Sequence, residues 1–404
     1  MHRGDRGMTP AVANLAELYV APGGPFFRLA QRLGIARLDR PSIRRRFVAL
    51  LLVTWVPMCL FALVQGVALG PTPRESFLMD FATYARFFIM LPIILYADLL
   101  IGERLTIAGR QLVFDGIVGV EDYPAFEKAI ARMARSRESV LVTWILLALA
   151  SVGAWTFTYE SASGMGLVGW RTALLPEGHA FRYNLAALWS QFVALPVVLY
   201  LAYRWIWRII MWTRFLYDVS RLDLRLVPTH ADKSGGLGFL EIAHVGFGVL
   251  AFGIGCVLSA EAAFRIVFEG AKLDFFQANT LILVAVLEVV FLGPLLMFMP
   301  AMARVRRDAL RRYGNLVVNY NRAFQSKWVD GHADPAEPLL GSADIQSLAD
   351  LGNSFRFVDD MRLMPFGRWS VIQIAVAALV PGVPLLLLSI PVRDIIDTLA
   401  KVVL

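Results

Sequence analysis

Apolar runs close to 20 residues long recur along this chain, and they limit its possible folds more than any other feature. About 20 helical residues, rising 1.5 Å each, cross a hydrocarbon layer roughly 30 Å thick. Inside lipid, a helix is one of only two backbone forms that satisfy every N–H and C=O. The other, a closed barrel, needs alternating segments of roughly ten residues, which the sequence lacks. Hydrophobic residues make up 57% of the 404 positions and charged ones 18%, against about 25% charged in ordinary soluble domains. That much apolar surface cannot be hidden from water. The expected fold is therefore all-α, a polytopic helical membrane protein. About seven transmembrane helices are expected, at residues 47–69, 82–102, 139–159, 185–212, 245–268, 278–300 and 371–391.

Basic charge sets the expected orientation, because Lys and Arg stay on the side of synthesis. Residues 1–46, 103–138, 213–244 and 301–370, with Arg204 and Arg208 at the end of the fourth span, hold 31 of the 39 Lys and Arg. The other side holds eight, from Arg74 to Lys401. The N-terminus is thus expected in the cytoplasm and the C-terminus outside. The domain plan has a cytoplasmic segment 1–46, spans one to six over 47–300 with loops 103–138 and 213–244, a cytoplasmic region 301–370, and a seventh span with an outer tail over 371–404. The same asymmetry accounts for a pI near 9.6. The partner it implies is the anionic inner leaflet, with no need for nucleic acid. No cleavable signal peptide is apparent in the first 46 residues, which carry nine arginines.

Several segments outside the spans have helical spacing. Residues 26–37 set Arg28, Arg32 and Arg37 beside Phe, Leu and Ile, as a helix lying in the interface does. Residues 123–137 and 303–324 alternate apolar and basic positions at helical period, and 342–355 opens with a capping serine. A helical cytoplasmic layer under the membrane is expected, with 328–341 as a Gly, Pro and Asp-rich loop. Cys59 and Cys256 both fall in apolar runs, which argues against a disulfide framework or a cysteine zinc site.

Ionisable residues inside hydrocarbon are costly and usually face a cavity or a partner. Glu288 sits near the middle of the sixth span, with Gly293-Pro294 two turns on, and is the candidate ion or proton site. The plainer alternative is a protonated Glu bonded between helices. Glu261 and Arg265 stand at i and i+4 in the favourable order, as a structural pair or a substrate clamp. Their helix carries Ala251, Gly255, Ser259 and Ala263 as a small-residue ridge. Asp98 is a further pore or cavity candidate, with snorkelling as the ordinary explanation.

Two loop features complete the candidates. Lys233, Ser234, Gly235, Gly236 and Gly238, just ahead of the fifth span, could present backbone N–H groups to an anion, or could be a tight re-entry turn. They do not have P-loop spacing. His-Ala-Asp occurs twice, giving His230, Asp232, His332 and Asp334, which could hold a divalent metal only if the two loops converge. No span carries a lysine for a retinal Schiff base, and Gly-x-Ser-x-Gly and His-Glu-x-x-His are absent. No cofactor is expected.

The segments Pro-Thr-His-Ala-Asp-Lys-Ser-Gly-Gly-Leu-Gly-Phe-Leu (228–240) and Glu-Pro-Leu-Leu-Gly-Ser-Ala-Asp-Ile-Gln-Ser-Leu-Ala-Asp-Leu-Gly-Asn-Ser-Phe (337–355) resemble signatures of a family of bacterial multi-pass membrane proteins that carries no assigned activity. The resemblance implies a bacterial inner-membrane location. In outline the plan is also similar to insect chemoreceptor channels, whose subunits assemble as tetramers, although no motif is shared. The expected function is a homo-oligomeric channel for ions or small solutes, since an odd span count without a visible internal repeat argues against repeat-built transporters. The alternatives are a proton- or ion-coupled transporter using Glu288, a membrane-interface enzyme or lipid-handling protein, and a sensor or scaffold without transport.

Overall fold

The computed structural model describes residues 43–137, 139–163, 169–174, 181–334 and 337–389. The interfacial helix expected at 26–37 and the outer tail lie outside the described residues. Among the described residues, six helices are long and apolar enough to cross a membrane: α1 (Ile43–Val64), α2 (Phe81–Phe114), α5 (Leu185–Ser220), α6 (Gly238–Glu269), α7 (Asp274–Val329) and α9 (Arg368–Leu386). Between α2 and α5 lie α3 (Tyr123–Arg137) and α4 (Val140–Ser163). A seventh crossing is reached if Val120–Arg137 and Val140–Thr156, bent by 50°, are taken as one broken span. This is the polytopic helical architecture expected.

Proline positions explain how the spans bend. Pro57 has no N–H for the Val53 carbonyl one turn back. That carbonyl instead accepts the indole N–H of Trp189 at 3.0 Å, which ties α1 to the start of α5. Pro92 and Pro196 each follow a π-helical stretch, Ala85–Met90 and Ser190–Ala194. Pro294 lies in the tight 3-10 turns Gly293–Phe298 of α7, and Pro381 in a similar break, Val380–Gly382, of α9. Asp80 caps α2, accepting from the Thr83 amide at 3.0 Å, and Asn184 caps α5 through the Ala187 amide at 2.7 Å.

Three elements depart from expectation. First, α2 continues past 102 to Phe114, burying Leu105, Ala108 and Leu112, so the start of the expected loop 103–138 is core helix. Second, α7 continues through its 3-10 turns for 56 residues in all, well past the expected end at 300. Its extension is amphipathic, so the hydropathy falls while the helical period continues. Third, a short antiparallel hairpin, β1 (Thr172–Leu174) with β2 (Phe181–Tyr183), joins α4 to α5 in an otherwise helical chain.

Half or more of the apolar window is buried in α2, α5 and α6 (56%, 50% and 50%), against 17% in α1 and 22% in α9. The first three are therefore central and the latter two peripheral. The main core joins Trp212 and Phe215 of α5, Phe247 and Leu250 of α6, and Phe291, Leu295 and Phe298 of α7. Phe247 and Phe291 stack at 5.0 Å, and α3 packs Phe126 edge-on against Phe215 at 5.6 Å. The small-residue ridge of α6 meets α9: a Cβ on Gly255 would lie 2.2 Å from the Ala378 carbonyl oxygen. Only a hydrogen side chain permits that approach.

At the end rich in Lys and Arg, α8 (Ala343–Asp359) folds back on the extension of α7. Ser342 caps it as expected, accepting from the Asp344 amide at 3.1 Å. Asp344 also takes bonds from Lys327 and Trp328, both at 2.9 Å, while the Asp359 carbonyl takes one from Arg306 at 2.8 Å. The two helices are thus antiparallel. Bonds from Lys327 and Trp328 hold the half-buried Asp344 carboxyl below the usual carboxylate range.

Candidate functional site

Glu288 projects from the apolar half of α7 toward the α9 backbone near Ala375. Both carboxyl oxygens are shielded and neither meets a side-chain donor among the described residues; the polar group they approach is the Ala375 backbone of α9. Near the middle of an apolar span this is an unusual state, because a polar group so poorly bonded there is costly.

Glu261 and Arg265 form the pair their spacing suggested, with Arg265 Nε and Nη2 donating to Glu261 Oε1 at 3.0 and 2.9 Å. They line a cavity of about 590 Å³ between α6, α7 and α9, together with Ser259, Gln277, Asn279 and Thr280. The volume lies within the range of small-molecule pockets. The charged pair sits at a mostly apolar wall, so it neutralises itself and leaves little net field in the cavity.

Asp98 is buried between helices and paired. Its carboxylate takes bonds from Arg46 Nη2 at 3.2 Å and from Arg208 Nη1, both arriving from other helices.

The glycine loop before α6 does hold an anion, but that anion is its own Asp232 carboxylate. Asp232 Oδ1 accepts from the amides of Ser234 at 2.7 Å and Gly236 at 3.2 Å, and Oδ2 accepts from Gly238 at 2.8 Å. Burial pushes the Asp232 carboxyl up, but the three amides and His230 outweigh it and hold it below the usual range. Lys233, Gly235 and Gly236 adopt φ of +56°, +67° and +98°, which turn successive N–H groups inward. The expected site for an external anion is therefore filled, and the tight-turn alternative describes this loop.

A clasp surrounds the loop. Arg362, from the connection between α8 and α9, donates to the Asp232 carbonyl at 3.0 Å and to Ser234 Oγ at 2.9 Å, and pairs with Glu241 at 3.3 Å. Glu241 in turn accepts from the Gly367 amide at 2.7 Å and from Ser370 Oγ. Lys233 Nζ meets Asp360 at 2.8 Å, which holds the exposed Asp360 carboxyl below the usual range. The α5–α6 loop is thereby locked to the start of α9.

The metal reading gains nothing from this arrangement. His230 pairs with Asp232 at 2.8 Å, and His332 contacts the Ser326 carbonyl at 3.0 Å. Among the described residues, no three His, Cys, Asp or Glu side chains gather as a metal site would require. The sequence offered no signal for His244, whose exposure is 0%. Its Nε2 takes the indole N–H of Trp212 at 2.9 Å, and its Nδ1 faces the Phe291 carbonyl. One nitrogen accepts and the other donates, which fixes a neutral imidazole of a single tautomer. The Phe291 carbonyl is open to it at the point where α7 passes into 3-10 turns.

Comparison with models of protein families, with curated proteins and with solved structures returns no match.

Proposed function

We propose that the chain forms a homo-oligomeric membrane channel for ions or small polar solutes, with α7 and α9 toward the permeation path and Glu288 facing it. The observation that carries this reading is the Glu288 carboxyl, which lies mid-span and meets no side-chain donor of its own chain among the described residues. In an assembly of several copies, such a carboxyl would join a ring that meets water and cations. The peripheral placement of α9, which exposes its own Val376, Val380 and Val383, leaves an apolar face for neighbouring copies and lipid.

The proposed setting is a bacterial inner membrane, N-terminus inside, supported by the Lys and Arg asymmetry and by the resemblance of residues 228–240 and 337–355. A carboxyl without a counter-ion also suits proton exchange, so coupled transport is the second reading. Ion flux into liposomes containing the purified protein tests both. Wild type is expected to conduct, and Glu288→Gln to lose most cation flux or its selectivity. Saturable uptake that collapses without a pH gradient would favour the transporter. Absence of flux for every ion, across steps of voltage, pH and osmolarity, overturns the proposal.

A further inference from the structure

The cavity between α6, α7 and α9 takes no part in the reading of Glu288, and its lining is ordered by depth. A Cβ on Gly255 would meet the Ala378 carbonyl and one on Gly382 would lie 3.6 Å from Ser259 Oγ, so α6 and α9 run side by side in the same direction. The turn at Gly270 sends α7 back the opposite way. Toward the middle of the spans the wall is Leu258 of α6, Leu281 and Leu283 of α7 and Leu379 of α9. Toward the end away from the clasp it carries Glu261, Arg265 and Gln277, while α9 is apolar throughout. From Gly255 to Arg265 the wall rises about 15 Å at 1.5 Å per residue, half of a hydrocarbon layer roughly 30 Å thick. The cavity is thus one leaflet deep, with an apolar body and a polar mouth.

The mouth is neutral, because Glu261 and Arg265 cancel each other. Its donors point along their own helices: Arg265 to Glu261 at 2.9 Å, Gln277 Nε2 to Asp274 at 2.9 Å, and Thr280 Oγ1 to the Phe276 carbonyl at 2.8 Å. A carboxylate offers about four lone-pair sites and an amide or hydroxyl oxygen about two, so Glu261, Gln277 and Thr280 keep capacity to accept. A carboxylate head entering here would find Arg265 engaged by Glu261, and an ammonium head would find Glu261 engaged by Arg265. Either would bring an unbalanced charge into a mostly apolar space, which is costly. An uncharged head that donates O–H bonds brings none and uses the oxygens present.

We propose that this cavity binds a single-chain amphiphile with an uncharged, hydroxyl-bearing head, of the monoacylglycerol kind, drawn from the adjoining leaflet. Its chain lies along Leu258, Leu283 and Leu379 toward the midplane, and its hydroxyls reach Glu261, Gln277 and Thr280 at the mouth. A volume of about 590 Å³ suits one such molecule.

The test places the full-length protein in phosphatidylcholine nanodiscs and adds a monoacylglycerol with a photoreactive diazirine in its chain, followed by mass spectrometry of the labelled peptides. Saturable labelling is expected within 255–265 and 276–283, displaced by the same lipid without the diazirine. Leu283→Trp fills the apolar end and should cut this labelling about tenfold, whereas Leu141→Trp, on the lipid-exposed face of α4, should leave it unchanged. If Leu283→Trp does not fold, Leu258→Trp narrows the same end and the same loss is expected. At about pH 9, where its head is ionised, a fatty acid carrying the same diazirine should label wild type about tenfold less. Glu261→Gln releases Arg265 and should reverse that preference. Labelling spread evenly over α1 and α4, labelling that unlabelled lipid does not displace, an unchanged level in the filled variants, or equal use of both probes by wild type overturns the proposal. None of these readouts depends on ion flux, so the site stands or falls apart from the channel reading.

Discussion

Removing the carboxylate of Asp232 tests whether the glycine loop is organised around its own anion. Asp232→Ala leaves the amides of Ser234, Gly236 and Gly238 without an acceptor, and the Ser234 residue is wholly buried at 0% exposure. A hydrogen bond to a charged group contributes about 1.5–3 kcal/mol, and three on one carboxylate do not add fully. With the Asp232 side chain at 19% exposure, a local loss of about 3 kcal/mol is expected, near the lower end of that range per pair of bonds. Hydrogen exchange followed by mass spectrometry reads this directly: amides in 232–240 should exchange about 100-fold faster, since 1.4 kcal/mol is tenfold. Asp232→Asn keeps an acceptor for Ser234 and Gly236 but turns its amide toward Gly238, so about half that effect is expected. Because the folded carboxyl sits below its ordinary value, the stabilisation is complete above about pH 4 and fades only as pH falls through the folded value. Unchanged exchange in Asp232→Ala at pH 7 would refute the reasoning.

Other substitutions probe the helix contacts. His244→Ala strands the Trp212 indole and the Phe291 carbonyl and opens a void, so a loss of about 3–5 kcal/mol is expected in chemical unfolding, and under about 1 kcal/mol contradicts the bridging role. Gly255→Ala drives a Cβ into the Ala378 carbonyl and should loosen α9, seen as a lower thermal midpoint and faster exchange over 375–382. Gly352→Ala, in α8 with nothing within 4 Å, should instead stabilise by about 0.5–1 kcal/mol.

Spans with a strong apolar signal could be read directly from the sequence, as could the Ser342 cap and the Glu261–Arg265 pair, because each depends on neighbours within a turn or on a single run of hydropathy. The extension of α7 was only partly legible: apolarity drops at Pro300, but a proline in the first turn of the helix that follows a 3-10 segment does not stop it. Contacts between distant residues carried no local signal. Asp98 reads as an isolated acid until Arg46 and Arg208, 52 and 110 positions away, are folded onto it. His244 was lost for a related reason, since its partners lie on α5 and α7, and a histidine beside a span boundary reads as surface. The loop was legible as a tight turn, but not that the acid two residues before Ser234 supplies the anion its glycine amides hold.

The length of α7 makes it a lever. Its part beyond the 3-10 joint, Met299–Val329, is about 46 Å long at 1.5 Å per residue, so a ten-degree tilt at the joint would sweep the far tip about 8 Å. The joint lies between this arm and Glu288, and the His244 ring rests on the carbonyl just ahead of it. A tilt of the arm would also pull on the Lys233–Asp360 contact at the end of α8, so the clasp and the joint would have to move together.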